Sequence, residues 1–222
     1  MLEIIKEATI EKTPLVIPRI PATMDVLESF PPDLQEGDII SQKLIQNCRI
    51  AGLVPDRLSC GQVVFQNVIF QDVAMRNVDM ADVRFFNCNL SNLDFSDAIM
   101  HRVEIMESNL VGIDLSNATL RNVRIAQANG TYANFRFSDF ESVQFETCIL
   151  KSADYQHCQM RKTGFQACDL REAQFSWAPV QGIDFRSCDI DGIGIRIEDL
   201  KGAIVSPEQA VFLSKKMGLV VV

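Results

Sequence analysis

The sequence is poor in the residues and motifs from which catalytic and metal centres are usually built. Its 222 residues include only two histidines, His101 and His157, and no His-x-x-His pair, so a histidine-based zinc site is not expected. A phosphate-binding loop of the form G-x-x-x-x-G-K-[ST] and a nucleophile elbow of the form G-x-S-x-G are both absent from the sequence. We therefore predict a protein that is not an enzyme and uses no cofactor.

Long apolar runs are also missing. No window approaches the roughly 18 uninterrupted apolar residues of a membrane-spanning helix. Charges interrupt the N-terminal segment MLEIIKEATIEKTPLVIPRIP, which does not have the form of a signal peptide. The seven cysteines are an odd number in a chain with no sign of secretion. We expect a cytoplasmic protein with reduced cysteines.

Positive charge is in short supply. The sequence has 21 Lys and Arg against 29 Asp and Glu, which gives a formal net charge of −8. A nucleic-acid-binding surface normally shows a basic patch or stripe, and anionic membrane surfaces attract basic segments. Neither direct binding of nucleic acid nor association with a membrane is expected.

A repeat of five residues dominates what is present. Every fifth residue from Phe65 to Leu200 gives 28 positions, of which 27 are large and apolar and one is Gly130. The residue two places before each of these is almost always small or of modest size, as at Val83, Ala118 and Cys148. The charges stand almost entirely at the other three positions. Because an unpaired buried charge costs several kcal/mol, the two apolar positions are predicted to face inward.

Six pentads show the pattern in its clearest form. They are SNLDF, SDAIM, VGIDL, SNATL, CDLRE and SADYQ. Through them, residues 46–200 resemble the pentapeptide-repeat family, whose motif is A(D/N)LXX. The resemblance implies an all-β solenoid, a right-handed quadrilateral parallel β-helix with one pentad per side and four per coil.

Four pentads per coil would stack residues that are 20 apart. Phe145, Phe165 and Phe185 would then form one column of rings, with Phe65 and Phe85 at its start. Gly130 would leave a gap in another wall, which a neighbour or water would fill, or which would bend the rod or admit a partner.

The segments at the two ends lie outside the repeat. Residues 1–45 are expected to cap the N-terminal end of the rod, with a short helix starting at Thr23 and the rest extended over that end. Residues 46–203 are assigned to the β-helix, and residues 204–222 to a C-terminal helix and tail. Ser206, Pro207 and Gln209 have the signature of a capped helix start, and Gly218 supplies a stop, which predicts a helix from about 207 to 217.

The apolar residues of this C-terminal segment exceed what closing one end of a rod needs. We therefore predict a homodimer formed through the C-terminus, as the resemblance also suggests. The residues assigned to the dimer contact are Ala210, Val211, Leu213, Met217 and Leu219.

Four outward residues form a candidate interaction surface. Phe137, His157 and Trp177 are 20 apart in a column that elsewhere holds Asn77, Asp97 and Asn117, and Tyr132 lies one side over. A stacked group of surface aromatic residues is typical of an interface. Either an external partner binds these side chains, or the N-terminal segment or a dimer mate covers them.

Two further columns have chemically active side chains. Asp94, Asp114 and Asp154 align as a ladder, and we include them in the candidate surface, although acid–base chemistry requires a pocket that a filled rod does not provide. Their structural interpretation is hydrogen bonding to backbone groups at turns.

Cys148, Cys168 and Cys188 stack in an inward column. Three thiols are short of a tetrahedral zinc set, so core packing is favoured over metal or redox chemistry.

These features favour a non-enzymatic, rigid protein-binding module with flat, mostly acidic faces. One alternative is a purely structural scaffold. Another follows from the resemblance: some members of the family bind DNA gyrase or topoisomerase IV as mimics of DNA and protect the enzyme from quinolones. The segment Gly61–Leu200 has a net charge of −7, from 12 Lys or Arg and 19 Asp or Glu, which is in keeping with such mimicry. The unbroken run of pentads and the N-terminal extension depart from that group.

Overall fold

The computed structural model describes residues 15–31, 33–52, 55–216 and 218–221. Within them the chain forms short β-strands, one 3-10 helix over Ile197–Leu200 and one α-helix, α1, over Pro207–Lys216. The strands β1 to β12 are, in chain order, Asp25–Leu27, Ile39–Ser41, Lys43–Gln46, Arg49–Ala51, Ser59–Gln66, Ile69–Gln71, Asp79–Phe86, Ile99–Met106, Thr119–Ala126, Asp139–Glu146, Gln159–Arg161 and Gly164–Gln166.

The strands pair in parallel at a constant offset. Phe65 lies opposite Phe85 in the pairing of β5 with β7, and Phe145 lies opposite Phe165 in the pairing of β10 with β12, so successive coils are displaced by 20 residues (85 − 65, 165 − 145). The chain makes a parallel β-solenoid of about 7 turns. The predicted β-helix with four pentads per coil is confirmed.

Each coil has four corners, and from residue 42 to residue 182 every corner residue has a left-handed backbone conformation. In one coil these residues are Asn77, Asp82, Asn87 and Asn92, with φ angles of 54°, 60°, 52° and 56°. Side chains other than glycine avoid positive φ, and Asn and Asp tolerate it best. The polar positions of the pentad therefore have two functions: they face the surrounding water, and they supply residues that tolerate the left-handed backbone at the corners.

The large apolar residues fill the interior as stacked columns. The ring centroids of Phe145 and Phe165 are 4.9 Å apart, and those of Phe165 and Phe185 are 6.0 Å apart. Phe65 and Phe85 stack at 4.8 Å, as predicted. A second column places the Tyr155 ring between two phenylalanine rings, at centroid distances of 4.9 and 4.7 Å. Every coil therefore covers the apolar surface of the coil before it.

The gap expected at Gly130 is closed by a neighbouring side chain. A Cβ atom placed on Gly130 would lie 3.0 Å from the Cδ2 atom of Leu150. The surrounding side chains, which include Leu110 and Phe135, leave no space for a water molecule. Of the outcomes considered for this site, the structure shows filling by a neighbour.

The N-terminal segment differs from its prediction. The helix expected to start at Thr23 is wrong: Asp25–Leu27 is a strand, which pairs in parallel with Lys43–Ile45. Pairing satisfies backbone groups that the first coil would otherwise expose at the edge of the sheet. An ion pair of 2.7 Å between Lys43 and Asp25 accompanies it.

Two other expectations for this part of the chain also change. Pairing at the 20-residue offset begins at Ile39, which lies opposite Ser59, so the division predicted at residue 46 falls inside paired chain. The described residues before β1 contact the side of the rod, where an extended cover over its end was expected. The backbone of Val16 and of Arg19 contacts Asn122 and Asp82, on the side of the solenoid.

The C-terminal helix has the predicted cap. The backbone N–H of Ser206 donates to Gln209 Oε1 at 2.9 Å, and the N–H of Gln209 donates to Ser206 Oγ at 3.3 Å. The side-chain amide of Gln209 also donates to the carbonyl groups of Phe185 and Cys188, at 2.8 and 2.9 Å. The helix start is therefore anchored to the last coils of the rod.

The Tyr155 hydroxyl provides a test of the core. It is fully buried and has no hydrogen-bond partner among the described residues, and such a group loses its hydration without compensation. We expect Tyr155→Phe to raise the free energy of unfolding by about 1 kcal/mol, measured by denaturant titration. The control is Tyr132→Phe at the exposed tyrosine, which should change it little. A loss of stability in Tyr155→Phe would contradict this account.

Candidate protein-binding surface

The structure brings the predicted outward aromatic residues together. The ring centroids of Phe137 and His157 are 4.9 Å apart, with an interplanar angle of 12°, and those of His157 and Trp177 are 5.9 Å apart at 3°. We call these three residues the aromatic corner. The column continues at Ile197. The exposed fractions of the side chains along it are 52% for Phe137, 56% for Trp177 and 51% for Ile197.

Tyr132 lies at the preceding corner of the same coil as Phe137 and is 66% exposed. Within the part of the chain that the structure describes, it makes no ring contact with the aromatic corner. It adds a separate apolar side chain to this side of the rod.

The backbone of the aromatic corner is unfavourable for bulky side chains. The φ angles are 62° at Phe137, 61° at His157 and 67° at Trp177. The left-handed conformation costs an ordinary residue about 1–2 kcal/mol, and Asn77 and Asn117 occupy the same column in earlier coils. Packing in the rod does not require aromatic residues at these exposed places, so their presence favours a role in recognition.

Sequence reasoning missed two residues that hold Trp177. The guanidinium of Arg196 lies 3.4 Å from the centroid of the Trp177 ring and extends the stack, and the backbone N–H of Trp177 donates to Asp199 at 2.8 Å. The spacing of 20 residues after Trp177 would have pointed to this segment. Because neighbouring groups cover the ring faces, the aromatic corner presents mainly ring edges to the outside.

Ring edges carry partial positive charge. They are suited to contact with carbonyl oxygens and with the faces of other aromatic rings. The aromatic corner can therefore recognise a partner by shape and weak polar contacts, and it contains no arrangement suited to bond-breaking chemistry.

The aspartate ladder has a local structural role. Asp94, Asp114 and Asp154 each accept a hydrogen bond from the backbone N–H two residues later, at 3.0, 2.8 and 2.9 Å. Partial burial raises the pKa of Asp94, but hydrogen bonds from Ser96 and Arg76 outweigh this effect, and the net pKa is lowered. These carboxylates hold their turns, which agrees with the structural interpretation of the sequence.

The inward cysteines also form hydrogen bonds with the backbone. All seven cysteines are free. The thiols of Cys148, Cys168 and Cys188 donate to carbonyl groups of the preceding coil at 3.3, 3.5 and 3.6 Å. Burial raises the pKa of Cys158 to about 12, which makes its thiolate inaccessible at neutral pH. Among the described residues, no group of three or more His, Cys, Asp or Glu is placed to hold a metal ion.

Arginines pair with many of the acidic residues. The distances are 2.7 Å for Arg84 with Glu104, 2.6 Å for Arg102 with Asp82 and 2.7 Å for Arg124 with Glu146. Each pair joins different coils, the first and third on one side of the rod and the second at the corner beside it. Positive and negative charges alternate there, so this side and its corner do not form one continuous negative band.

The C-terminal helix divides its apolar residues between two uses. Leu213 is buried and closes the end of the core, with Phe212 partly buried beside it. Leu213 is therefore not available on the predicted dimer surface, because the monomer already uses it. Ala210, Val211 and Leu219 remain exposed, and Met217 lies outside the described residues. No helix among the described residues is long and apolar enough to cross a bilayer.

Comparisons with known proteins agree with this architecture. A family model described as the pentapeptide repeat region matches residues 78–146 and 138–203. The chain is 36% identical over 205 residues to the uncharacterized protein YisX of Bacillus subtilis (strain 168), which covers 92% of this chain and 96% of that protein. Since the family model matches more than half of the sequence, the chain belongs to the pentapeptide repeat family.

Two solved structures are also similar. One is a trypsin-treated form of QnrB1, a plasmid-mediated fluoroquinolone resistance protein, with 21% identity, a TM-score of 0.49 and coverage of 85% of this chain and 98% of that one. The other is HetL, a pentapeptide repeat protein involved in heterocyst differentiation regulation from the cyanobacterium Nostoc sp. strain PCC 7120. It has 14% identity, a TM-score of 0.34 and coverage of 78% and 88%.

The division of the C-terminal helix generates a test of the predicted homodimer. We expect Val211→Asp to give a monomer that still folds cooperatively, because Val211 is exposed in the single chain and its replacement leaves the core intact. Leu213→Asp should instead lower the free energy of unfolding by more than about 3 kcal/mol, since it places a charge in the core. Light scattering after size exclusion measures the mass. An intact dimer in Val211→Asp and after deletion of residues 206–222 would contradict the prediction.

Proposed function

We propose that this protein is a non-enzymatic, rigid protein-binding module that recognises its partner through the aromatic corner. The supporting observation is the stack of Phe137, His157 and Trp177, which is exposed and stands on a backbone conformation that disfavours it. The solenoid beneath is filled with side chains, so it holds the stack rigidly. A rigid surface loses little conformational entropy on binding.

The described part of the N-terminal segment bears on the alternative that the chain itself covers this stack. Its contacts at Asp82 and Asn122 lie at a different corner of the solenoid. Exposure at Phe137 and Trp177 therefore favours an external partner or a second copy over an internal cover.

A second candidate function is mimicry of DNA toward a type II topoisomerase, with protection from quinolones. The net charge of −7 over Gly61–Leu200, from 12 Lys or Arg and 19 Asp or Glu, and the rod shape favour it. The alternation of Arg and Glu on one side of the rod weakens it. Inhibition or quinolone protection in a supercoiling assay with purified DNA gyrase would support this candidate, and neither effect at micromolar protein would remove it.

The primary proposal is tested by restoring asparagine at the aromatic corner. We expect the double variant Phe137→Asn and Trp177→Asn to lose its partner while the free energy of unfolding changes by less than about 1 kcal/mol. Relief of the left-handed strain offsets the lost stacking, each being about 1 kcal/mol. Affinity capture with the tagged full chain, followed by titration with the purified partner, measures binding.

The chain offers a matched control. Ile149 is 48% exposed and stands in a column with Asn109 and Asn129, so Ile149→Asn also restores a column residue, on another side of the rod. This variant should retain the partner. Equal capture by the wild type, the control and the double variant would refute the aromatic corner as the binding surface. Loss of folding in the double variant would assign the stack to the scaffold instead.

A further inference from the structure

One corner of the solenoid is covered, unlike the corner beside it. The covered residues are buried or half-buried and stand 20 apart: Gln62, Asp82, Arg102, Asn122 and Ser142. Further along the same corner, Lys162 and Gly182 are exposed. At the corner one pentad later, every residue of the column from Asn67 to Thr147 is exposed.

Residues 15–20, here called the strap, lie against this corner. The backbone N–H of Arg19 donates to Asp82 Oδ1 at 2.9 Å, and the side-chain amide of Gln62 donates to the carbonyl of Arg19 at 3.2 Å. The N–H of Val16 donates to Asn122 Oδ1 at 3.3 Å. Val16 and Arg19 are only three positions apart in the sequence, yet their contacts lie two coils apart, so the strap is extended along the rod. Side chains of the corner form hydrogen bonds with the backbone of the strap.

The corner is organised by contacts of its own. Asp82 accepts two hydrogen bonds from the guanidinium of Arg102, at 2.6 and 2.7 Å, and is itself only 7% exposed. Arg102 thus fixes the carboxylate in the orientation that receives the N–H of Arg19. Because Arg102 belongs to the next coil of the solenoid, this orientation does not depend on the strap.

The strap itself is weakly held. Pro18 is buried, but Val16 and Ile17 expose their apolar side chains. Three hydrogen bonds and one buried proline ring are a small attachment beside the core of the solenoid. Segments with so few contacts open locally without unfolding of the rest.

We propose that the corner formed by Gln62, Asp82, Arg102 and Asn122 is a peptide-binding surface, occupied in the resting protein by the strap. The partner is an extended, apolar segment with a proline followed by a basic residue, which is the chemistry of the strap at Pro18 and Arg19. The net charge of −8 favours a basic segment. The strap competes with the partner segment as an internal ligand. The surface is separate from the aromatic corner, so this proposal stands or falls independently of that one.

The test uses the full chain and a labelled peptide with the sequence of residues 13–22, TPLVIPRIPA. Arg19→Pro in the protein removes the N–H that donates to Asp82 and leaves the corner untouched. We expect this variant to bind the peptide at least tenfold more tightly than the wild type in a fluorescence polarisation titration. The internal strap competes at an effective concentration in the millimolar range, and the substitution weakens it.

Changes in the corner supply the second half of the test. Added to Arg19→Pro, Asp82→Ala should weaken peptide binding at least tenfold, and Asn122→Ala several-fold. Asp72→Ala is the matched control, because Asp72 has the same kind of corner conformation, with φ of 53°, and lies outside the contacts of the strap. Thermal unfolding establishes that each variant is folded.

The outcomes are separable. Peptide binding by Arg19→Pro that both corner variants reduce, and that the control retains, supports the proposal. Equal affinity of the wild type and Arg19→Pro overturns it, as does a folded Arg19→Pro that binds no peptide at millimolar concentration. Binding that survives both Asp82→Ala and Asn122→Ala also overturns it.

Discussion

Every feature of this protein depends on the parallel pairing of residues that are 20 positions apart. This register places Phe145 on Phe165 and Val123 on Val143, so each coil covers the apolar surface of its neighbour with a similar side chain. Because the strands are parallel and in register, a single substitution is felt mainly by the coils above and below it. Both the interior and the surface therefore consist of columns of side chains that are 20 residues apart in the sequence.

The corners are where this architecture acquires specificity. Nearly all of them have a left-handed residue, and among residues with a side chain Asn or Asp meets this requirement with least strain. Exposed aromatic side chains at such places are unfavourable for folding alone and favour a use in recognition. The aromatic corner is one such place, with φ of 62° at Phe137 and 67° at Trp177. The corner at Asp82 keeps the favoured residue type and acquires its specificity differently, because the Asp82 side chain accepts a hydrogen bond from the backbone of Arg19, 63 residues away.

Much of this was predictable because the repeat is local in sequence. The pentad predicts which residues face inward, and the spacing of 20 predicts the phenylalanine columns and the stack at His157. The C-terminal helix was predictable from its capping residues, Ser206 and Gln209. The closure at Gly130 was not, because the reach of the Leu150 side chain depends on the backbone geometry of two coils.

The N-terminal segment shows the limit of such reasoning. Residues 23–30 have a weak helical pattern, but Asp25 pairs with Lys43 at an offset of 18, outside the repeat. Nothing in the local sequence indicates that Arg19 meets Asp82. Contacts of this kind depend on where the chain enters the solenoid, and a periodic pattern carries no information about that. The contact of the Arg196 guanidinium with the Trp177 ring was missed for a related reason. Arg196 lies where the last coil passes into a 3-10 helix, and the repeat does not predict the geometry of that end.

The account is tested most directly by comparing two internal deletions. Removal of residues 161–180 takes out one whole coil and joins Met160 to Gln181, so that Phe145 would stack on Phe185. Removal of residues 161–182 takes two residues more and puts the rest of the chain out of phase with the pentad. By circular dichroism on heating, the account predicts a cooperative transition close to that of the wild type for the first variant, and a transition of smaller amplitude at lower temperature for the second, because only the coils before the deletion keep their register. Equal transitions in both, or an unfolded first variant, would contradict it.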